Sequence, residues 1–158
     1  MKYTLVTLLL LSPMFMGAAC DQATLSPSLK VEDTLNENHD VMKDSLRITV
    51  GGKVFTATLS DNVGANAFKA MLPLTMNMTE LNGNEKYFRL PKNLPTNASN
   101  PGTIKSGDLM LWGPETFVVF YEGFSTSYSY TKLGTITNAA GLADALGSGN
   151  VTITIELQ

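Results

Sequence analysis

Apolar and polar residues alternate strictly near the start and at the end of the C-terminal part of the chain. Residues 46–50 (LRITV) and 53–59 (KVFTATL) alternate and are separated by Gly51 and Gly52. Residues 151–157 (VTITIEL) alternate again. Such alternation is typical of strands with one buried face. Because glycine tolerates the positive φ of tight primed turns, the glycine pair predicts a β-hairpin.

Apolar residues recur at helical spacing in two places. The first predicts a helix over 63–72 that stops before Pro73, since the residue before a proline is disfavoured in the α region. Asp61 or Asn62 can cap the start of this helix. A shorter helix is predicted over 138–146, with its first residue, an asparagine, as the cap.

Short β-strands account for most of the remaining folded segment. They are predicted at 74–78, 86–90, 108–112, 117–121 and 130–137. The stretches 91–107 and 123–129 are predicted to be loops, because they are rich in Pro, Gly, Asn and Ser. About eight strands and two short helices give a mainly β domain. Pairing the first strand with the last would close it into a barrel without exposed edges.

The N-terminus has the pattern of an export signal. Lys2 precedes an apolar run over 5–16, and three small residues lead into Cys20. The run is shorter than the roughly 20 apolar residues of a membrane-spanning helix. The position of Cys20 resembles a bacterial lipobox, which implies cleavage before Cys20 and lipidation of its thiol. The alternative is an ordinary signal cut near Ala19, leaving a soluble periplasmic or secreted protein.

These patterns divide the chain into three parts. Residues 1–19 are expected to be the signal peptide, 20–44 a flexible tether, and 45–158 one folded domain. The tether has no sustained apolar periodicity, so it cannot bury enough apolar surface to offset the entropy of ordering. We therefore expect the domain to be anchored to a membrane of the bacterial cell envelope through the lipid on Cys20.

Composition excludes several kinds of site. The net charge is −3 and the basic residues are scattered, which argues against nucleic-acid binding. The single histidine, His39, and the single cysteine, Cys20, both precede the folded domain. This inventory excludes a usual zinc site and a Ser-His-Asp hydrolase within the domain. No phosphate-binding glycine loop follows a first strand. Together, these observations lead us to expect neither a metal nor a cofactor.

Six sequence blocks of the predicted domain carry a resemblance to a known family. They are ITVGGKVFTATLSDN at 48–62, AFKAMLPLTMNM at 67–78, NGNEKYFRLPKNLPTN at 82–97, SGDLMLWG at 106–113, FSTSYSYTKLG at 124–134 and LADALGSGNVTITIEL at 142–157. Together they resemble the cyclophilin-like family of bacterial proteins, which implies a closed cyclophilin-like β-barrel with two short helices.

The more distant similarity to true cyclophilins implies a catalytic candidate. Those enzymes isomerise X-Pro bonds with an arginine beside an apolar pocket, and Arg89 lies in the matching segment. A pocket for proline would then be formed by four apolar residues, Phe88, Met110, Trp112 and Phe120. The Gln-Gly-Gly-Asp-type block and the late pocket histidine of cyclophilins are missing here. This difference favours a binding domain over an efficient isomerase.

Aromatic residues also flank a Ser/Thr-rich loop, where Phe124, Tyr128 and Tyr130 are candidates for ligand contact. The alternative for them is simple packing. The leading hypothesis is a cell-envelope binding module for a peptide or protein segment that can contain proline. A weak peptidyl-prolyl isomerase is the first alternative. The second is an accessory domain for a flavodoxin-like redox partner.

Overall fold

Eight antiparallel strands close into a barrel within residues 44–158, the part of the chain that the computed structural model describes. The strands are β1 (Ser45–Val50), β2 (Lys53–Leu59), β3 (Leu74–Leu81), β4 (Glu85–Arg89), β5 (Thr103–Ile104), β6 (Asp108–Trp112), β7 (Thr116–Phe120), β8 (Phe124–Ser125), β9 (Thr131–Ile136) and β10 (Val151–Leu157). The helices are α1 (Val63–Lys69) and α2 (Leu142–Leu146). The barrel order is β1-β10-β3-β4-β7-β6-β9-β2. The predicted signal peptide, Cys20 and nearly all of the predicted tether lie outside the described residues.

The first and last strands pair, as the alternating pattern predicted. Leu46 lies opposite Leu157 and Val50 opposite Ile153, so β1 and β10 run antiparallel along most of their length. The inward residues Ile48 and Ile155 are almost completely shielded from solvent. The predicted closed β-barrel with two short helices is therefore confirmed.

Helix α1 begins where the sequence predicted but ends three residues early. Asn62, rather than Asp61, is the cap, since its side-chain oxygen accepts the N–H of Ala65 at 2.9 Å. The N–H groups of Met71 and Leu72 bond to carbonyls only three residues back, which tightens the last turn and ends the helix.

Helix α2 is also shorter than the predicted 138–146. Asn138 does not cap it; its side chain instead accepts the N–H of Ala140, two residues on, which forms a local turn. Gly141 then takes φ +76°, a left-handed conformation that glycine adopts easily, and the helix begins only at Leu142.

The two segments that the sequence predicted to be loops contain a two-stranded ribbon. Thr103 pairs with Ser125 and Ile104 with Phe124, so β5 and β8 join the two loops. The ribbon packs on the outside of the barrel and forms a second apolar cluster, separate from the core inside. This cluster contains Ile104, Met110, Val118, Phe120 and Tyr130, with Tyr87 and Phe124 at its margin.

A lysine is buried at the inner side of strand β4. Lys86 is 0% exposed, and its ammonium group donates to the carbonyls of Gly147 and Gly149 at 2.7 Å and to the carboxylate of Glu80. Tyr121 donates its hydroxyl to both Glu80 oxygens at 2.8 Å. Burial, and then the bond to Glu80, raises the pKa of Tyr121 to about 12. This network ties β3 and β4 to the segment between α2 and β10.

Candidate functional site

A groove of about 460 Å³ lies against the outer wall of the barrel, beside the ribbon. Tyr87 on β4 and Val118 on β7 are direct cross-strand partners and form its floor. Trp112 lies opposite Thr116 at one end. The lining residues are Leu81, Asn82, Asn84, Glu85, Tyr87, Trp112, Thr116, Val118, Phe124, Tyr128 and Tyr130.

A tight hairpin turn builds one rim of the groove. Asn82 and Gly83 both have positive φ, 57° and 72°, which is the pattern of a type I′ turn and explains the Asn-Gly sequence. The N–H of Gly83 donates to Glu80 at 2.8 Å. Next to the turn, the backbone carbonyl of Asn84 accepts the N–H of Tyr121 at 3.0 Å, which fixes the rim to the strand beside it. The side-chain oxygen of Asn84 is buried and has no hydrogen-bond partner among residues 44–158.

The segment after the ribbon forms the opposite wall. Tyr130 is only 7% exposed, and its ring meets Phe120 edge-on at 5.6 Å. Its backbone N–H and C=O both pair with Ser99 at 3.0 Å, which holds the segment against the long loop. Tyr128, two residues earlier, is 65% exposed. The wall therefore combines an anchored aromatic ring with one that is free to contact a ligand.

The groove carries negative charge. Glu85 is its only lining carboxylate, and no lysine or arginine lines it within the described part of the chain. Burial, followed by repulsion from Glu80, raises the pKa of Glu85. Burial and then the charge of Glu85 raise the pKa of Tyr130. Both shifts indicate that additional negative charge is disfavoured at this site.

Four of the sequence-predicted binding residues meet in this groove: Trp112, Phe124, Tyr128 and Tyr130. Two others lie on the same outer face but do not line it. Phe120 is fully buried beneath the ribbon, and Met110 lines a neighbouring pocket. The contact role of all six stays a prediction.

The structure places Arg89 and Phe88, two residues of the predicted isomerase centre, on opposite faces of β4. Neighbouring residues of a strand point to opposite faces, so Phe88 packs against the core inside the barrel while Arg89 faces outward. The Arg89 side chain is 76% exposed and pairs with Glu115 at 2.6 Å. Neither lines the groove. Phe88, Met110, Trp112 and Phe120 therefore do not form one pocket around Arg89.

Sequence reasoning missed several lining residues, chiefly Glu85 and Tyr87. Alternation along β4 already places Glu85 and Tyr87 on the same face, opposite Phe88. A second clue to the groove is in β7, whose residues are apolar at successive positions. This pattern indicates that the outer face of the strand is covered as well as the inner one.

A second pocket of about 250 Å³ lies on the other side of Tyr130, which lines both. Lys132 lies 3.3 Å from the nearly buried carboxylate of Asp108, which also accepts the N–H of Lys105 at 2.8 Å. The lining residues are Ser99, Pro101, Thr103, Lys105, Asp108, Met110, Tyr130 and Lys132. Because Asp108 offsets one of the two lysines, the pocket is only mildly basic.

Two other kinds of feature are absent from the described residues. Over residues 44–158, His, Cys, Asp and Glu side chains form no group of three or more that is arranged to hold a metal ion. No helix in the same range is both long and apolar enough to span a bilayer.

Comparisons with known proteins agree with the fold. A family model described as the cyclophilin-like family matches residues 48–156. The solution structure of a hypothetical protein from Archaeoglobus fulgidus is similar, with a TM-score of 0.52 and 16% sequence identity. That match covers 74% of this chain and 96% of the archaeal one, and at this identity it concerns the fold alone. A comparison with curated proteins gave no significant match.

Proposed function

This chain belongs to the cyclophilin-like family, and we propose that it is a binding module whose outer-wall groove holds a segment of polypeptide. The observation that carries the proposal is the convergence of five aromatic side chains on one groove of about 460 Å³. A site of this size is typical of pockets that hold a small ligand or a few side chains.

The exposure of the aromatic residues supports contact with a partner. Trp112 is 54% exposed and Tyr128 65%, whereas Tyr130 is anchored behind them. Exposed tryptophan and tyrosine residues are frequent energetic centres of protein interfaces, since they offer a large apolar area together with a polar group. A polypeptide segment suits the groove because the asparagines of its rim can bond to backbone amides.

A binding role also agrees better with the surroundings of Arg89 than an isomerase role does. Its guanidinium lies in solvent beside Glu115 and not above the aromatic floor. A cation that polarises a proline amide has to lie within hydrogen-bond reach of that amide. The weak isomerase therefore remains an alternative without a supporting contact at the groove.

The test is selection of a random capped peptide library on the full chain. We expect enrichment of a peptide class that is lost in Tyr128→Ala, because this substitution removes an exposed ring from the groove wall. Val54→Ala is the matched control, since Val54 is 59% exposed on β2 and does not line the groove. Equal enrichment by wild type and Tyr128→Ala would contradict the proposal.

We further propose that the module is displayed on a membrane of the cell envelope by lipidation of Cys20. In cells grown with a labelled fatty acid, the wild-type protein should carry label and sediment with membranes. Cys20→Ala should carry none. Equal labelling of the two proteins would exclude this anchor and favour the soluble periplasmic or secreted alternative.

A further inference from the structure

The lining of the groove has the chemistry that attracts a positively charged group. The faces of aromatic rings carry partial negative charge and bind cations within about 6 Å of the ring centre. Five rings line the groove together with the carboxylate of Glu85 and the amides of Asn82 and Asn84. The aromatic members are Tyr87, Trp112, Phe124, Tyr128 and Tyr130.

The cations closest along β4 are already engaged elsewhere. Arg89 pairs with Glu115 at 2.6 Å, and Lys86 points to the inside of the barrel, where it bonds to Glu80. No lysine or arginine of residues 44–158 forms an ion pair with Glu85. A half-buried carboxylate without a cation costs folding free energy, so its presence at a ligand-sized groove calls for a reason other than stability.

We propose that the groove binds an arginine side chain of an extended polypeptide segment, with the guanidinium stacked on the aromatic wall and paired with Glu85. This inference rests on the proposed function and names the group that is recognised. Arginine fits better than lysine because its planar guanidinium stacks on rings and is weakly hydrated. Its five N–H donors can bond to a carboxylate and to neighbouring amide oxygens at the same time.

The single tryptophan of the chain makes the test specific. Trp112 lines the groove, so its fluorescence reports a guest at this site and not elsewhere on the domain. The full chain is titrated with capped heptapeptide pools whose central residue is arginine, lysine or citrulline and whose flanks are randomised among residues other than tryptophan. Citrulline keeps the shape of arginine but is uncharged. We expect the arginine pool to bind about tenfold more tightly than the citrulline pool, as a desolvated cation–π contact with a carboxylate partner implies.

Two substitutions with the same charge change localise the effect. Glu85→Gln should remove most of the preference for arginine over citrulline. Glu122→Gln, at an exposed residue that does not line the groove, should leave it unchanged. If arginine and citrulline pools bind equally, the inference is wrong while the proposed function stands. Equal binding of lysine and arginine pools would overturn the assignment to a guanidinium. If no pool binds, the proposed function fails as well.

Discussion

Replacing Lys86 with methionine should strongly destabilise the barrel. Methionine has a similar length and fits the apolar surroundings, but it cannot donate a hydrogen bond. The substitution leaves the Glu80 carboxylate without its cation and the carbonyls of Gly147 and Gly149 without their donor. Removing one partner of a buried ion pair typically costs about 3–5 kcal/mol.

The structure favours the lower end of that range. Glu80 keeps the hydroxyl of Tyr121 and the N–H of Gly83 as donors, and its side chain is 21% exposed, so its charge is not completely stranded. We therefore expect a loss of about 3 kcal/mol in the free energy of unfolding. For a domain of this size, this corresponds to a decrease in the midpoint of thermal unfolding of roughly 10 °C.

The assay is urea unfolding of the full chain, followed by circular dichroism, with Lys69→Met as control. Lys69 pairs with Asp44 at 2.6 Å, but that carboxylate is 46% exposed, and surface pairs contribute at most about 1 kcal/mol. A loss for Lys86→Met no larger than for Lys69→Met would mean that the buried network adds no stability beyond that of a surface ion pair.

The loss should also depend on pH. Burial raises the pKa of Glu80, but the bonds from Lys86, Tyr121 and Gly83 together outweigh this and lower it below the ordinary value of 4.5. A lowered carboxyl pKa gives stability that is complete above the unfolded pKa and disappears as the pH falls through the folded pKa. The difference between wild type and Lys86→Met should therefore be greatest near neutral pH and shrink below about pH 4.5.

Three further predictions concern stability and catalysis. Burial raises the pKa of Glu85, so the ionised side chain destabilises the folded state at pH 7. Glu85→Gln should therefore raise the midpoint of thermal unfolding at pH 7, and this gain should disappear below pH 4.5, where Glu85 is protonated in both states. A lower midpoint for Glu85→Gln at pH 7 would contradict this direction. A Cβ at Gly134 would lie 2.5 Å from the carbonyl oxygen of Thr58, so Gly134→Ala should cost about 1–3 kcal/mol by urea unfolding, whereas Gly149→Ala, with open space, should cost much less. Arg89→Ala should change stability by less than about 1 kcal/mol, and it should show the same rate as wild type in a protease-coupled X-Pro isomerase assay; a wild-type activity that the variant loses would favour the isomerase alternative.

The barrel was predictable because its signals are local. Strict alternation marked the first and last strands, and the glycine pair marked the hairpin, so closure followed from the need to protect strand edges. Helix ends were less predictable. The end of α1 and the late start of α2 depend on turns at Leu72 and Gly141 whose geometry is set by the surrounding chain.

The groove could be predicted only in part, since it is formed by segments far apart in sequence. The aromatic residues Phe124, Tyr128 and Tyr130 stood out because they flank a polar loop. Their partners Glu85 and Tyr87 come from β4, and only the pairing of β4 with β7 and the packing of the ribbon bring them together. Pairings as short as that of β5 with β8 carry almost no periodic signal, so the cover on the outer wall could not be read from the pattern.

The most direct measurement is a map of amide NMR shifts of the full chain on addition of an enriched arginine-centred peptide. If the peptide lies in the groove, the large shifts cluster at 81–87, 112–118 and 124–130, the segments that line it. Amides of β2 should stay unchanged. Shifts that centre instead on the second pocket, around Ser99, Lys105 and Lys132, would show that the aromatic groove is not the binding site.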